Sequence, residues 1–335
     1  MSKSLTCGAF LASMMVGGIA AAETYQVAHF TPESTPMGHY GKIFGEKLAA
    51  ATNGNIELQF FWAGSLGAGN EIVPLVGGGA VPVGVTAPAY FPSEMPITGM
   101  LNSLPMTFKG VAAAMSAQQE LSTNEDFMAE YERVGVFPIY QHGLSTLHLI
   151  CKQPVASMAD MKGLKVRSFG YFLPLAFSSL GMVPVTLPLQ DTYEGLDRGV
   201  VDCVPMNYAS AYAYKLQEVA PYWSDVNLGA FSGPAIYVNY DLFFNTWDDA
   251  TRQTVTDVSA EVFAMEAKEL DVADAEALES AKGEGVTAVT FSEQAEMDGQ
   301  MIDMIDAWQT QQVNNGMSEE LAARVAQAVR EKTPE

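Results

Sequence analysis

Residues 25–30 alternate between apolar and polar with a period of two and run into the turn Thr31-Pro32-Glu33-Ser34-Thr35-Pro36, the mark of a strand that stops. The period then changes. Over 37–52, Tyr40, Ile43, Phe44 and Leu48 recur at helical spacing, and Asn53-Gly54 ends the run, which predicts an amphipathic helix. A second strand is expected over 56–62, a short helix over 71–76 and a third strand over 81–86. Strands alternating with helices imply βαβ units and a mostly parallel sheet covered on both faces.

The rhythm restarts past Pro138. Strands are expected over 145–151, 164–167, 183–187 and 200–204, with helices over 173–180 and 192–198, which makes a second α/β lobe. Ala235-Ile236-Tyr237-Val238-Asn239 reads as a strand crossing back into the first. From 247 to 282 there is neither Gly nor Pro, so a long helix is expected, with Thr246 and Asp249 as a capping box and Gly283 as a stop. Unbroken, it would be about 50 Å long. It either bends near Asp271 into two helices or runs along both lobes. The expected division is lobe I over 23–144 plus about 235–265, and lobe II over 145–234 plus about 266–335.

Composition narrows the function. The chain has 335 residues, 48% of them hydrophobic, and a formal charge of −22; such a balance repels nucleic-acid phosphate and anionic lipid. Lys3 precedes an apolar run that ends in Ala20-Ala21-Ala22, the pattern of a secretory signal peptide over 1–22 with cleavage after Ala22. Export to the periplasm follows as an expectation, with no membrane insertion of the mature chain. Cys151 and Cys203 then remain. They either form a disulfide or sit as two small buried residues, and the second is preferred because a chain of this size needs no staple. His29, His39, His142 and His148 show no ligand spacing with them, so no zinc site is expected.

The usual catalytic signatures are missing: there is no Gly-x-Ser-x-Gly elbow, His-Glu-x-x-His pair, P-loop or Rossmann fingerprint. No catalytic set is expected. Basic residues are scarce, with 17 Lys and Arg against 39 Asp and Glu, which draws notice to Arg167 at the close of a short strand, where crevices of α/β sheets open. An arginine there can grip a carboxylate through two parallel charge-assisted hydrogen bonds. Phe169 and Tyr171 follow it with flat apolar surface. On composition alone, a surface arginine paired with a nearby acid remains the alternative.

A resemblance bears on that choice. Asp160-Met161-Lys162-Gly163-Leu164-Lys165-Val166-Arg167 is similar to the D-[LM]-K-G-[LM]-K-[IVL]-R signature of solute-binding proteins of TRAP (tripartite ATP-independent periplasmic) transporters. Leu180-Gly181 with Val183-Pro184-Val185, Gln190 to Leu196, and Arg198-Gly199-Val200-Val201-Asp202 resemble further motifs of that family, as do Lys47 to Leu58 and Gly64-Ser65-Leu66-Gly67 with Glu71. The resemblance implies a two-lobed α/β periplasmic solute-binding fold, each lobe a mixed, mostly parallel sheet flanked by helices, with one long helix spanning both. It also implies that Arg167 holds the carboxylate of a small organic acid, and that small and large membrane permease subunits are the partners. Asn207 and Tyr208 are expected as polar partners of Arg167, with Glu71, Tyr90 and Phe91 closing from the first lobe. The family's second arginine is absent from Gly143-Leu144-Ser145-Thr146-Leu147-His148. Thr86 to Phe91 and Met206 to Ser210 look like the branch that takes 2-oxo acids with a metal ion. The acidic ligand expected near Pro205 is missing, so neither metal nor other cofactor is expected. A ligand-sensing subunit of a receptor kinase would share the fold; an enzyme acting on an organic acid would need the catalytic set that is missing.

Overall fold

A computed structural model describes residues 23–333 apart from 103 and 109. The expected signal peptide lies outside the described residues. In chain order the elements begin with β1 (Glu23–His29), α1 (Pro36–Ala51), β2 (Ile56–Phe61), α2 (Ile72–Gly77), β3 (Val83–Thr86), α3 (Val111–Leu121), α4 (Glu125–Val134) and β4 (Val136–Leu144). There follow β5 (His148–Cys151), α5 (Met158–Met161), β6 (Lys165–Ser168), α6 (Phe172–Ser179), β7 (Val183–Thr186), α7 (Thr192–Asp197), β8 (Cys203–Met206), α8 (Tyr208–Ala213) and β9 (Tyr222–Ser224). The chain ends with β10 (Phe231–Asn239), α9 (Asp249–Gly283), β11 (Thr287–Val289), α10 (Gln294–Gln300), α11 (Met304–Asn314) and α12 (Glu319–Arg330).

The strands form two mixed sheets flanked by helices, ordered β2-β1-β3-β10-β4 and β11-β9-β5-β8-β6-β7. In the first sheet β1 pairs parallel with β2 and β3, and β10 runs against β3 and β4. In the second, β6 pairs parallel with β7 and β8 while β5 opposes β8 and β9. Every residue of β3 and of β8 is buried, as expected of strands covered on both faces.

Local chemistry explains the main elements. Thr35 caps α1, its hydroxyl accepting from the Gly38 N–H at 3.1 Å, and Pro36 supplies a ready-set first turn. The stop is Asn53-Gly54, both at positive φ (52° and 78°), the left-handed region that Asn and Gly tolerate.

The long helix is continuous. Val255, Val258, Val262, Glu266, Leu270, Asp274, Ala277 and Ala281 are its buried positions, one seam along one face. The seam's first part joins the core of the first sheet, and Ala277 and Ala281 join a core of the second. The division into two helices near Asp271 does not occur. The cap is Asp248, whose carboxylate accepts from Thr251 N–H at 2.8 Å, not Thr246.

Two further expectations change. Cys151 and Cys203 are directly opposed on β5 and β8 with Cα atoms 4.1 Å apart and form a disulfide. Antiparallel pairing brought together residues 52 apart in sequence, which spacing alone could not reveal. Met304, Ile305 and Trp308 of α11, with Ala322, Val325, Ala326 and Val329 of α12, pack into the core of the first sheet, whereas 266–335 was assigned to the second lobe. An amphipathic stripe says that a helix is covered; it does not say which sheet covers it.

Candidate ligand-binding site

The segment around Arg167 is built to launch one strand. The Asp160 carboxylate accepts from the N–H groups of Ala156 and Ser157 at 3.0 and 2.9 Å and from the Ser157 hydroxyl, which fixes the start of α5 and holds that carboxyl below its usual range. Gly163, at φ 77°, reverses the chain and donates its N–H to Gly181 O at 2.8 Å. Asp202 then receives the Lys165 N–H at 2.9 Å. The motif's charged and glycine positions thereby place β6 between β7 and β8, with Arg167 at its carboxyl end.

Arg167 is 2% exposed. Its Nε donates to Leu187 O at 3.0 Å, its Nη2 reaches Tyr90 Oη at 3.4 Å, and its guanidinium lies 4.9 Å from the Phe169 ring centre. No carboxylate among the described residues pairs with it, although eleven pairs between Lys or Arg and a carboxylate occur among them. A buried cation without a counter-ion is costly, and the rest of the guanidinium fork is left for something from outside.

That fork borders a cavity whose walls come from both sheets. Phe30, Ala87 and Tyr90 reach it from the carboxyl ends of β1 and β3, and Arg167, Phe169 and Met206 from those of β6 and β8. This is where α/β sheets ordinarily bind ligands. Tyr90 joins the two sides: its ring meets Phe30 and Phe169 edge-on, each at 5.9 Å between centres.

Of the expected site residues, Arg167, Phe169, Tyr90 and Asn207 line the cavity. The Asn207 amide is already engaged: Oδ1 accepts from Ser210 N–H at 3.2 Å, capping α8, and Nδ2 donates to Ser145 Oγ at 2.8 Å. The others stand elsewhere. Tyr208 stacks between His148 and Trp223, at 4.1 and 5.6 Å. Phe91 is buried in the first core. Tyr171 donates to Gln311 Oε1 at 2.8 Å beside a separate cavity. Glu71 is exposed and accepts from Ala68 N–H at 2.8 Å, bracing a turn. The Tyr208 ring packs into the core beside the strand, and the Glu71 carboxylate serves the local backbone.

Twelve of the sixteen lining residues were not among those expected, and two of the twelve carry unpartnered polar atoms. Tyr214 presents a buried hydroxyl with no hydrogen-bond partner among the described residues, and so does the Asn102 carbonyl oxygen. Burial pushes the Tyr214 hydroxyl pKa up, with Tyr90 adding to the rise and Arg167 opposing it. A signal existed for Tyr214: Asn207, Ser210 and Tyr214 are spaced i, i+3, i+7, one face of α8 and its end. Asn102 had none.

The model of bacterial extracellular solute-binding protein family 7, DctP, matches residues 27–311. The chain belongs to this family. Among curated relatives it is 24% identical over 227 residues to the 2,3-diketo-L-gulonate-binding periplasmic protein YiaO of Escherichia coli, covering 66% of this chain and 68% of that one. It is 28% identical over 166 residues to a monocarboxylate 2-oxoacid-binding periplasmic protein of Nostoc, 47% of this chain and 43% of the other. Two solved structures share the fold, each with a TM-score of 0.78. One is a TRAP periplasmic solute-binding protein of Roseobacter denitrificans with bound β-D-glucuronate, 20% identical, covering 92% of this chain and 99% of that one. The other is the Bordetella pertussis extracytoplasmic solute receptor DctP7 binding pyroglutamic acid, 18% identical, covering 92% and 100%. The chain is thus a TRAP-type, DctP-like solute-binding protein, as the motif around Arg167 implied.

Proposed function

We propose that the chain is the periplasmic subunit of a TRAP transporter that captures a small organic acid through Arg167 and delivers it to the membrane permease subunits. The observation that carries this reading is the guanidinium of Arg167: buried, without a carboxylate partner, and facing a cavity between the two sheets. A bound carboxylate would supply the missing countercharge in bidentate geometry. The role in this reading is binding without catalysis, in keeping with a family of solute-binding proteins. The acids bound by relatives and fold neighbours support the substrate class. Export through the signal sequence at 1–22 belongs to the same reading. So does the lobe division, amended so that residues 304–333 join lobe I.

Truncating one partner of a buried charge pair typically costs 2–5 kcal/mol. Arg167→Ala is therefore expected to weaken acid binding by roughly 30- to several-thousand-fold. Arg167→Lys keeps the charge and loses the planar fork, so its affinity also falls. Calorimetry with the acid that wild type binds decides the matter, and an Arg167→Ala protein of undiminished affinity removes Arg167 from the site.

A further inference from the structure

The cavity's side chains specify more than an anion. Ten of the sixteen lining residues are hydrocarbon or thioether in character, Leu144, Leu147, Leu189 and Met206 among them. Among the described residues, Arg167 is the only cation in the lining. The polar groups still open to a ligand are few. Asn207 bonds to Ser210 and Ser145, which leaves one N–H of its Nδ2. Apart from the Arg167 fork, the unpartnered buried side-chain atoms of the lining are the Tyr214 hydroxyl and the Asn102 Oδ1. Because Asn102 Nδ2 donates to Ser232 O, Oδ1 is fixed as an acceptor.

We infer that the ligand is a monocarboxylate with a largely apolar body, aliphatic or aromatic, carrying a single O–H or N–H donor. This deepens the capture reading above and rests on it. The carboxylate takes Arg167 and the Tyr214 hydroxyl; the donor meets Asn102 Oδ1; the body lies against the leucines, Met206 and the Phe169 ring. A dicarboxylate would bury its second anion without a second cation, and the chain is already strongly acidic. A sugar acid carries a hydroxyl on nearly every carbon. Each hydroxyl buried here without a partner costs about tenfold or more in affinity, and the walls offer too few partners.

The test is calorimetric titration of the mature protein with a fixed panel. Mandelate, 4-hydroxybenzoate and 2-hydroxy-4-methylpentanoate represent the inferred class; succinate, 2-oxoglutarate and two hexuronates represent the excluded ones. At least one member of the first set is expected to bind 100-fold or more tighter than any of the second. Its analogue lacking the hydroxyl is expected to bind about tenfold more weakly. Tyr214→Phe should lose 10- to 100-fold in affinity with an unchanged or higher thermal midpoint, since it removes a polar atom that is unpaired in the empty protein. A hexuronate or dicarboxylate binding as tightly as the first set overturns the inference while capture of an acid stands. Equal affinity for the dehydroxylated analogue removes the role of Asn102, and unchanged affinity in Tyr214→Phe removes that of Tyr214. Silence across the panel, with no acid released on denaturing the purified protein, overturns the capture reading itself.

Discussion

Asp274 shows how one buried carboxyl is placed by three segments at once. It projects from α9, accepts from Ala209 N–H at 2.8 Å and from Ser145 Oγ at 2.7 Å, and through Ser145 touches the Asn207 amide. Burial pushes its pKa from 3.8 up to about 6, against the two hydrogen bonds. Since the folded value is the higher one, the folded protein holds the proton over a range where the unfolded chain has lost it. Between pH 3.8 and about 6 this group's contribution therefore favours folding at the acid end and fades as pH rises. Asp274→Asn cannot titrate. Urea midpoints measured from pH 4 to 7 are expected to show a smaller decline with rising pH in Asp274→Asn than in wild type; parallel profiles would mean that the carboxyl is ionised in both states. The same three residues show the limit of reading side chains from sequence. Arg167 stood out as a cation at a strand end, and that survives in the geometry. Asn207 was legible as an amide near the crevice, but the engagement of its Nδ2 was not, because the partner Ser145 is 62 residues away.

At the scale of elements, α9 is held to each half of the molecule by one buried carboxyl. Asp274 meets α8 and the segment before β5. Two turns earlier Glu266, fully buried, accepts from the Tyr140 hydroxyl and lies 3.3 Å from His142 Nδ1, both on β4. Glu266→Leu keeps the volume of the seam but leaves the phenol and the imidazole without their partner, each at about 1–3 kcal/mol. A loss of about 2–4 kcal/mol is expected, read as a lower urea midpoint with unchanged slope; an unaltered midpoint would show that burying the carboxyl costs as much as its bonds return. The strands and helices of the βαβ units were largely visible in the sequence because hydrophobic period and turn residues act locally. β1, α1, β2, β3, α6 and α7 appear within a few residues of the expected ranges. The length of α9 was visible for the same reason, as an unbroken run without Gly or Pro. Its continuity past Asp271, the Cys151–Cys203 bridge and the return of α11 and α12 to the first sheet were not, since each depends on which distant surfaces meet.

For the whole molecule, the question is whether the two halves move. Four connections join them: the passage from β4 to β5, the passage from β9 to β10, α9, and the passage from α10 back to α11. The first two run side by side, with Leu147 N–H donating to Gly229 O at 3.0 Å and Leu228 N–H to Leu147 O at 3.0 Å, and β10 breaks its register with β4 between Ser232 and Ala235. Paired crossings with an irregularity beside them can absorb a small rotation, while the seam of α9 keeps it to bending about one axis. Opposite this hinge, the described structure joins the halves across the cavity through Tyr90, at 3.4 Å from Arg167 and in edge contact with Phe169. That long hydrogen bond and single ring contact are weak, but Tyr171 also donates to Gln311 Oε1 at 2.8 Å and Phe172 of α6 packs in the first core, so opening must part these contacts as well. A carboxylate on Arg167 adds a charge-assisted contact that only the closed form completes, and a ligand shifts such an equilibrium by its difference in affinity for the two forms. The expected outcome is a smaller radius of gyration in small-angle scattering when wild type is saturated with its acid, and no contraction of Arg167→Ala at the same ligand concentration. Scattering curves of wild type that superpose with and without a ligand bound in calorimetry would mean that the cavity fills without closing, and that Tyr90 is a fixed wall.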